Sequence, residues 1–234
     1  NGTMLWNTGI AHGDRFRLSD IDPDRPGQEI FAIQQNAPDM LGSILYDASN
    51  GQAIRKWYLA AVGDVGRGEC MDVDADHKGY EMWSTMPDIY NAKGDIIGNN
   101  KPFPYEGIWW DGDLGRESVM TPGSGNNCPI VIAKYDKSST WKRLNQISKD
   151  AGWQLVAENA VRPMFFGDIY GDWREELVLK QLINGEECGF VALTTNYTTE
   201  VDHIYCLLQD PNYFGQTTNR GYYQSPMTGF YLGW

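Results

Sequence analysis

Two ten-residue stretches of this chain are spelled to hold a hard cation: Asp20-Ile21-Asp22-Pro23-Asp24-Arg25-Pro26-Gly27-Gln28-Glu29 and Asp72-Val73-Asp74-Ala75-Asp76-His77-Lys78-Gly79-Tyr80-Glu81. Both read D-x-D-x-D-x-x-G-x-E. Three carboxylates on alternate residues, a glycine that permits a tight reversal and a glutamate two residues later wrap oxygen ligands around one divalent ion such as calcium. The candidate ligands are Asp20, Asp22, Asp24 and Glu29 in the first loop, and Asp72, Asp74, Asp76 and Glu81 in the second. Glycine and glutamate stand at positions 8 and 10, not at the 6 and 12 of an EF-hand, and the flanks are strand-like. Shorter versions offer Asp111, Asp113 and Glu117 in Asp111-Gly112-Asp113-Leu114-Gly115-Arg116-Glu117. A fourth, Asp168-Ile169-Tyr170-Gly171-Asp172-Trp173-Arg174-Glu175-Glu176, offers Asp168, Asp172 and Glu175. The alternative is four solvated acidic turns, and two full ten-residue matches argue against coincidence.

Outside these loops, His12 and Arg67 are the residues best suited to react. His12 precedes Gly13-Asp14 in an irregular turn, and an imidazole that is neutral near pH 7 accepts a proton; a turn histidine bonded to nearby backbone is the alternative. Arg67 lies between Gly66 and Gly68, where bare backbone lets a guanidinium reach a cleft and grip a sugar carboxylate with paired donors. Arg116 and Arg174 precede loop glutamates and read as ion pairs that hold the turns. Trp109, Trp110 and Trp173 read as core, and His77 and His203 as structural.

The elements that must position these groups are short β-rich runs separated by turn chemistry. First aspartates at 20, 72, 111 and 168 are 52, 39 and 57 residues apart, bracketing the roughly 40–50 residue period of propeller blades. Strands are expected at Met4-Leu5-Trp6, Ile30 to Gln34, Ser43 to Asp47 and Gly51 to Trp57, then at Tyr80 to Ser84, Ser118 to Met120 and Ile130 to Ala133. Lys142 to Ile147 reads as a strand, with a one-turn helix left open by Trp141, Leu144 and Ile147; Leu177 to Leu179, Gly189 to Thr194 and His203 to Leu207 follow. Asp88 to Pro104 reads as a long loop, and the aromatic tail from Pro211 as loop. No low-complexity linker divides the chain, so residues 1–234 read as one all-β domain of four consecutive four-stranded β-propeller blades.

Composition agrees: 234 residues with 26 Gly, 11 Pro and 13% aromatics suit one large all-β domain. The net charge of −12 argues against a nucleic-acid partner, and the four loops hold 15 of the 31 acidic residues, where cations would offset them. No run of 18 apolar residues spans a bilayer, and the first residues lack the pattern of a signal peptide. Cys70, Cys128, Cys188 and Cys206 are far apart, pointing to isolated buried thiols instead of zinc or a disulfide framework.

Six motifs, in order, carry a resemblance: His12-Gly13-Asp14; Asp64-Val65-Gly66-Arg67-Gly68; Gly107-Ile108-Trp109-Trp110-Asp111-Gly112-Asp113-Leu114; Gly171-Asp172-Trp173-Arg174-Glu175-Glu176; Gln209-Asp210-Pro211; and Phe230-Tyr231-Leu232-Gly233. Together they resemble polysaccharide lyase family 11, the rhamnogalacturonan lyases, over essentially the whole chain. The resemblance implies the C-terminal half of an eight-bladed β-propeller with several calcium ions, completed by N-terminal blades or by dimerisation. It implies a secreted, periplasmic or cell-surface enzyme acting on pectic polysaccharide, without nucleic-acid or membrane partners. It sets His12 and Arg67 among the catalytic groups of a central cleft, and Asn219, Gly221 and Tyr222 beside the sugar. A further sugar-binding turn falls near Asn126 and Asn127, where the spelling departs from the family's.

The implied reaction is calcium-assisted β-elimination at the rhamnose-(1→4)-galacturonate bond. His12 is the easier base, whereas Arg67, a guanidinium that holds its proton far above neutral pH, suits charge stabilisation unless its site weakens that hold greatly. The alternative is a non-catalytic, calcium-stabilised propeller that binds glycan or protein, because a fold with cation loops implies no chemistry by itself.

Overall fold

A computed structural model describes residues 2–121, 129–138, 140–147, 153–154, 156–157, 161–162, 165–184, 186–202, 206–219 and 224–233. Asn126, Asn127, Cys128, His203, Gly221 and Tyr222 lie outside them. Two compact units divide the chain, residues 1–104 with 210–234 and residues 105–209.

In the first unit, β1 (Phe16–Ser19), β2 (Glu29–Ile33), β3 (Leu41–Asp47) and β4 (Ala53–Tyr58) form one antiparallel meander. β5 (Gly68–Met71), β6 (Glu81–Ser84), β7 (Ile89–Tyr90) and β8 (Ile96–Gly98) form a second. The region from Asp88 to Pro104, expected as loop, thus supplies two strands. Side chains alternate across a strand, so Phe31 and Ile33 of β2 join a core with Cys70 and Met82 of the second sheet, while Ala32 faces Leu41, Ile44 and Tyr46. Both faces of β2 are therefore buried, and each large apolar side chain there contributes about 1.5–3 kcal/mol.

The tail is not all loop. α1 (Pro211–Thr218) begins at Asp210, whose carboxylate accepts from the Tyr213 N–H at 2.8 Å, with Pro211 in the first turn. Its side chains cover the open edge of β1. Asn212 and Gln216 donate to the Leu18 carbonyl at 3.0 and 2.9 Å, and Gln224 donates to that of Phe16 at 3.0 Å. Met4-Leu5-Trp6 forms no strand: Met4 and Leu5 are exposed, and Trp6 is held by its indole N–H on the Ala48 carbonyl at 3.0 Å.

The second unit repeats the theme. β9 (Glu106–Ile108), β10 (Glu117–Met120), β11 (Ile130–Asp136) and β12 (Thr140–Ile147) form the third antiparallel sheet, so residues 142–147 are strand, not helix. Two short pieces, β14 (Val156–Ala157) and β15 (Val161–Arg162), pair with each other between β13 (Trp153–Gln154) and β16 (Phe165–Gly167). β13 and β16 flank β17 (Glu176–Ile183) in the fourth sheet, where β18 (Glu186–Leu193) also pairs with β17. Ile108, Trp110, Val119, Ile130, Ile132, Phe166, Leu177 and Leu179 fill its core. Leu207 starts a short 3-10 turn rather than ending a strand. Of the described cysteines Cys70 alone is buried; Cys188 is exposed on β18 and Cys206 is partly exposed, contrary to the expectation of buried thiols.

Candidate functional site

Each acidic loop joins two neighbouring antiparallel strands, β1–β2, β5–β6, β9–β10 and β16–β17, and in each the glutamate that opens the later strand turns back to clamp the loop. Glu29 Oε2 accepts from the N–H groups of Ile21 and Asp22 at 3.0 and 3.1 Å. Glu81 Oε2 does the same for Val73 and Asp74 at 3.0 and 3.1 Å, and Glu117 Oε2 for Trp110 and Asp111 at 3.0 and 3.3 Å. In the fourth loop the residue in this role is Glu176, which accepts from Ile169 and Tyr170 at 2.9 and 3.1 Å. Glu175, the ligand expected there, is instead buried against Arg116, whose Nη2 lies 3.0 Å away, and accepts from the Trp109 N–H at 2.9 Å. The Arg116 guanidinium also lies over the buried Trp109 ring, 3.9 Å from its centroid.

Counting back from the clamping glutamates corrects the register of the short loops. The Asp24 N–H donates to Asp22 Oδ1, that of Asp76 to Asp74 Oδ1 and that of Asp113 to Asp111 Oδ1, at 3.2, 3.2 and 3.0 Å. Asp111 therefore stands with Asp22 and Asp74, and Trp109 occupies the place of Asp20 and Asp72. In the fourth loop Asp168 keeps the first place and the exposed Tyr170 takes the second. Each short loop thus lacks one carboxylate of the full set.

Burial pushes Glu117 up to about 8 and Glu81 well above the ordinary carboxylate range; Glu29 and Glu176 move the same way, each against its two amide bonds. Among the described residues, Asp111, Asp113 and Glu117 bring ligand oxygens within 4.8 Å of one another, whereas the other three loops gather no such trio. Glu117 Oε1 is buried and accepts no hydrogen bond. An all-oxygen set around a buried carboxylate oxygen that meets only an ammonium ion fits a hard cation such as calcium. Lys134 meets the same trio, its ammonium 3.0 Å from Asp111 Oδ2 and 3.5 Å from Glu117 Oε1 and bonded to Asp113. In the first loop Lys93 bridges Asp22 and Asp24 at 2.6 and 2.8 Å, and Lys78 bonds Asp24 at 2.6 Å. Those two lysines hold Asp24 down to about 2.

His12 and Arg67, 55 positions apart, meet on one carboxylate. Asp14 Oδ1 lies 3.1 Å from His12 Nε2, and Asp14 Oδ2 accepts from Arg67 Nη1 at 3.0 Å. The chain just after β2 makes this meeting. The Gln35 N–H donates to the His12 carbonyl at 2.8 Å on one side, and the Val65 N–H donates to the Gln34 carbonyl at 3.3 Å on the other. Gly13 allows the close pass, since a Cβ there would sit 1.9 Å from the Ile33 carbonyl oxygen. The glycines flanking Arg67 serve turn and packing instead of freeing its side chain. Gly66 is left-handed at φ +71°, and a Cβ on Gly68 would meet Ile33 Cγ2 at 2.4 Å.

Beneath the cluster lies a buried ionic base. Glu69 of β5 accepts from Arg17 of β1 with both oxygens, one bond being 2.5 Å from Nε, and Arg15 Nη1 lies 3.5 Å away while donating to the Pro104 carbonyl at 2.9 Å. The His12 side chain itself is 73% exposed and that of Arg67 24%. A recess of about 260 Å³ is lined by Thr8, Ile10, Ala11, Gln34, Pro38 and Lys56 among others, and His12, Asp14 and Arg67 are not part of its lining. Asn219 caps the end of α1, its N–H donating to the Gly215 carbonyl at 3.0 Å. In the sequence Asp14 stands out only as a neighbour of His12. An acceptor-only side chain two residues beyond a histidine, across a glycine, was the available signal.

Four antiparallel sheets, carboxylate-clamped turns and a histidine–aspartate–arginine cluster define an all-β scaffold with a candidate site, and comparison with known proteins supplies its family. Residues 1–234 match the family described as rhamnogalacturonan lyase family 11, C-terminal domain, and the chain belongs to that family. It is 34% identical over 240 residues to rhamnogalacturonan endolyase YesW, and 32% identical over 246 residues to rhamnogalacturonan exolyase YesX, both of Bacillus subtilis strain 168. All of this chain is covered, but 35% and 39% of those two proteins, so it spans little more than a third of their length. The crystal structure of exotype YesX superposes with a TM-score of 0.86 at 32% identity, covering 99% of this chain and 39% of that one. The Bacillus licheniformis rhamnogalacturonan lyase PL11 gives 0.81 at 37% identity, covering 99% and 37%.

Proposed function

We propose that this chain is the C-terminal part of a rhamnogalacturonan lyase and supplies the groups that cleave the rhamnose-(1→4)-galacturonate bond of pectin by β-elimination. The observation that carries the reading is the meeting of His12 and Arg67 on Asp14, in a member of a lyase family. His12 takes the C5 proton of galacturonate, the electron pair of that C–H bond becomes the C4=C5 double bond, and the C4–O4 bond breaks. O4 leaves with the bonding pair and is protonated by water. Arg67 keeps a positive charge facing the uronate. Calcium, were it bound in the cleft, would supply Lewis-acid stabilisation of the charge developed at C5. Asn219, with Asn126, Asn127, Gly221 and Tyr222, is assigned to the sugar.

The acidic loops hold structural calcium in this reading: Asp111, Asp113 and Glu117 in the third, Asp20, Asp22, Asp24 and Glu29 in the first, Asp72, Asp74, Asp76 and Glu81 in the second, and Asp168 and Asp172 in the fourth. The four sheets are read as blades of a β-propeller, half of an eight-bladed ring that further blades or a second copy complete. Light scattering that shows a monomer at every concentration would remove the second copy.

The deciding experiment is the absorbance of unsaturated uronate during incubation of a full-length lyase carrying this domain with rhamnogalacturonan. His12→Ala and Arg67→Ala should each remove most of the activity, about 10²–10⁴-fold for a lost base. Wild-type turnover in His12→Ala would show that the base lies elsewhere. A second reading, a glycan-binding domain without chemistry, is favoured by the third-length match to the relatives. It predicts retained binding and no new absorbance.

A further inference from the structure

We infer that Asp14 is a positioning residue that fixes which atom of His12 takes the proton and keeps the tasks of His12 and Arg67 separate. The inference rests on the lyase reading above and adds to it a residue and an atom.

A neutral imidazole carries one N–H and one lone pair, and a carboxylate can only accept. Asp14 Oδ1 lies 3.1 Å from His12 Nε2, so the hydrogen resides on Nε2 and the lone pair on Nδ1. Nδ1 is therefore the atom that receives the C5 proton. Asp14 Oδ2 is committed to Arg67 at 3.0 Å, which holds the guanidinium as a cation beside the histidine and assigns it to charge stabilisation. One carboxylate thus serves two partners, each on its own oxygen.

Backbone bonds set the geometry. His12 is pinned by the Gln35 N–H at 2.8 Å, and the residue after Asp14 by the Ile33 N–H, which donates to the Arg15 carbonyl at 3.3 Å. Arg67 is pinned through its carbonyl, which accepts from the Thr85 N–H at 3.1 Å, and through its N–H, which donates to the Val65 carbonyl at 2.8 Å. Both segments are fastened beneath by the buried Arg15, Arg17 and Glu69. Once Nδ1 is protonated, the contact at Nε2 becomes an imidazolium–carboxylate hydrogen bond, of the stronger charge-assisted kind. That gain is larger in the transition state than in the ground state, so Asp14 lowers the barrier without touching the sugar.

The test has a spectroscopic and a kinetic arm. In the 234-residue chain with ¹⁵N-labelled histidine, long-range proton–nitrogen spectra should show His12 wholly as the Nε2–H tautomer. Asp14→Asn should give a tautomer mixture. An Nδ1–H tautomer in the wild-type chain overturns the inference without any variant, and so does a spectrum unchanged in Asp14→Asn. In a full-length lyase carrying this domain, Asp14→Asn should lower kcat by about tenfold or more, with KM moving less than about threefold. A wild-type kcat overturns the positioning role. If His12→Ala keeps its activity, the lyase reading of His12 fails, while the spectra still report whether Asp14 holds the imidazole.

Discussion

The acidic turns and the His12–Asp14–Arg67 cluster both rest on carboxylates, in opposite surroundings. In the turns the clamping glutamates are buried and their partners are backbone amides, donors present whatever the side chains are. In the cluster, Asp14 is only partly covered, its partners are two side chains, and one of them is largely in solvent. A carboxylate bonded to buried amides is part of the fold and cannot leave without breaking it. One bonded to exposed side chains can change partners during a reaction.

The contrast is open to attack, and the largest effect belongs to the buried base under the cluster. Glu69→Gln leaves Arg17 short of its counter-charge and should lower unfolding free energy by about 3–5 kcal/mol, read from denaturant midpoints. A loss below about 1 kcal/mol would mean that the cluster does not depend on its foundation. Next comes Glu81→Ala, which strips the acceptor from two turn amides and should lose about 2–4 kcal/mol, whereas Glu81→Gln keeps an acceptor and should lose less. Equal losses would make the charge, not the acceptor, the stabilising element. Chelation follows: a single calcium present at a hundredfold its Kd adds about 2.7 kcal/mol, so EDTA should lower the melting temperature and added calcium restore it. An unchanged melting temperature after verified metal removal would count against structural calcium. The smallest shift is expected at the surface, where His12→Ala should change stability by no more than about 0.5 kcal/mol, while the proposed role of His12 predicts loss of most activity in a full-length lyase carrying this domain.

What could be read beforehand follows the same division. Strands such as Ile30 to Gln34 and Ile130 to Ala133 were legible because β-branched runs bounded by turn residues need no tertiary information. The acidic spelling located all four turns, but not their register. Asp111 was matched to Asp20, although one residue is missing from the third loop and Trp109 holds that place. Glu175 and Glu176 are spelled alike, and only the amides of Ile169 and Tyr170 tell them apart. α1 escaped because its signal, Asp210 followed by Pro211, sat in an aromatic stretch read as loop. Met4-Leu5-Trp6 has a strand's composition and pairs with no strand among the described residues. At the site, His12 and Arg67 were singled out separately, and what joins them is a long-range backbone bridge through Gln34 and Gln35 that no local pattern encodes.

The covering of β1 by the tail has a consequence for how the chain is made. Leu18 waits for Asn212 and Gln216, and the Ser19 hydroxyl for the Thr228 carbonyl, 2.7 Å away and 209 positions later. At the usual pace of translation, roughly 5–20 residues per second, the first strand leaves the ribosome roughly 10–40 s before the groups that satisfy its outer carbonyls. Residues 105–209, the second compact unit, emerge in between. Vectorial synthesis therefore leaves the outer edge of β1 bare until α1 appears, an interval in which a chaperone or a neighbouring nascent chain can reach that edge.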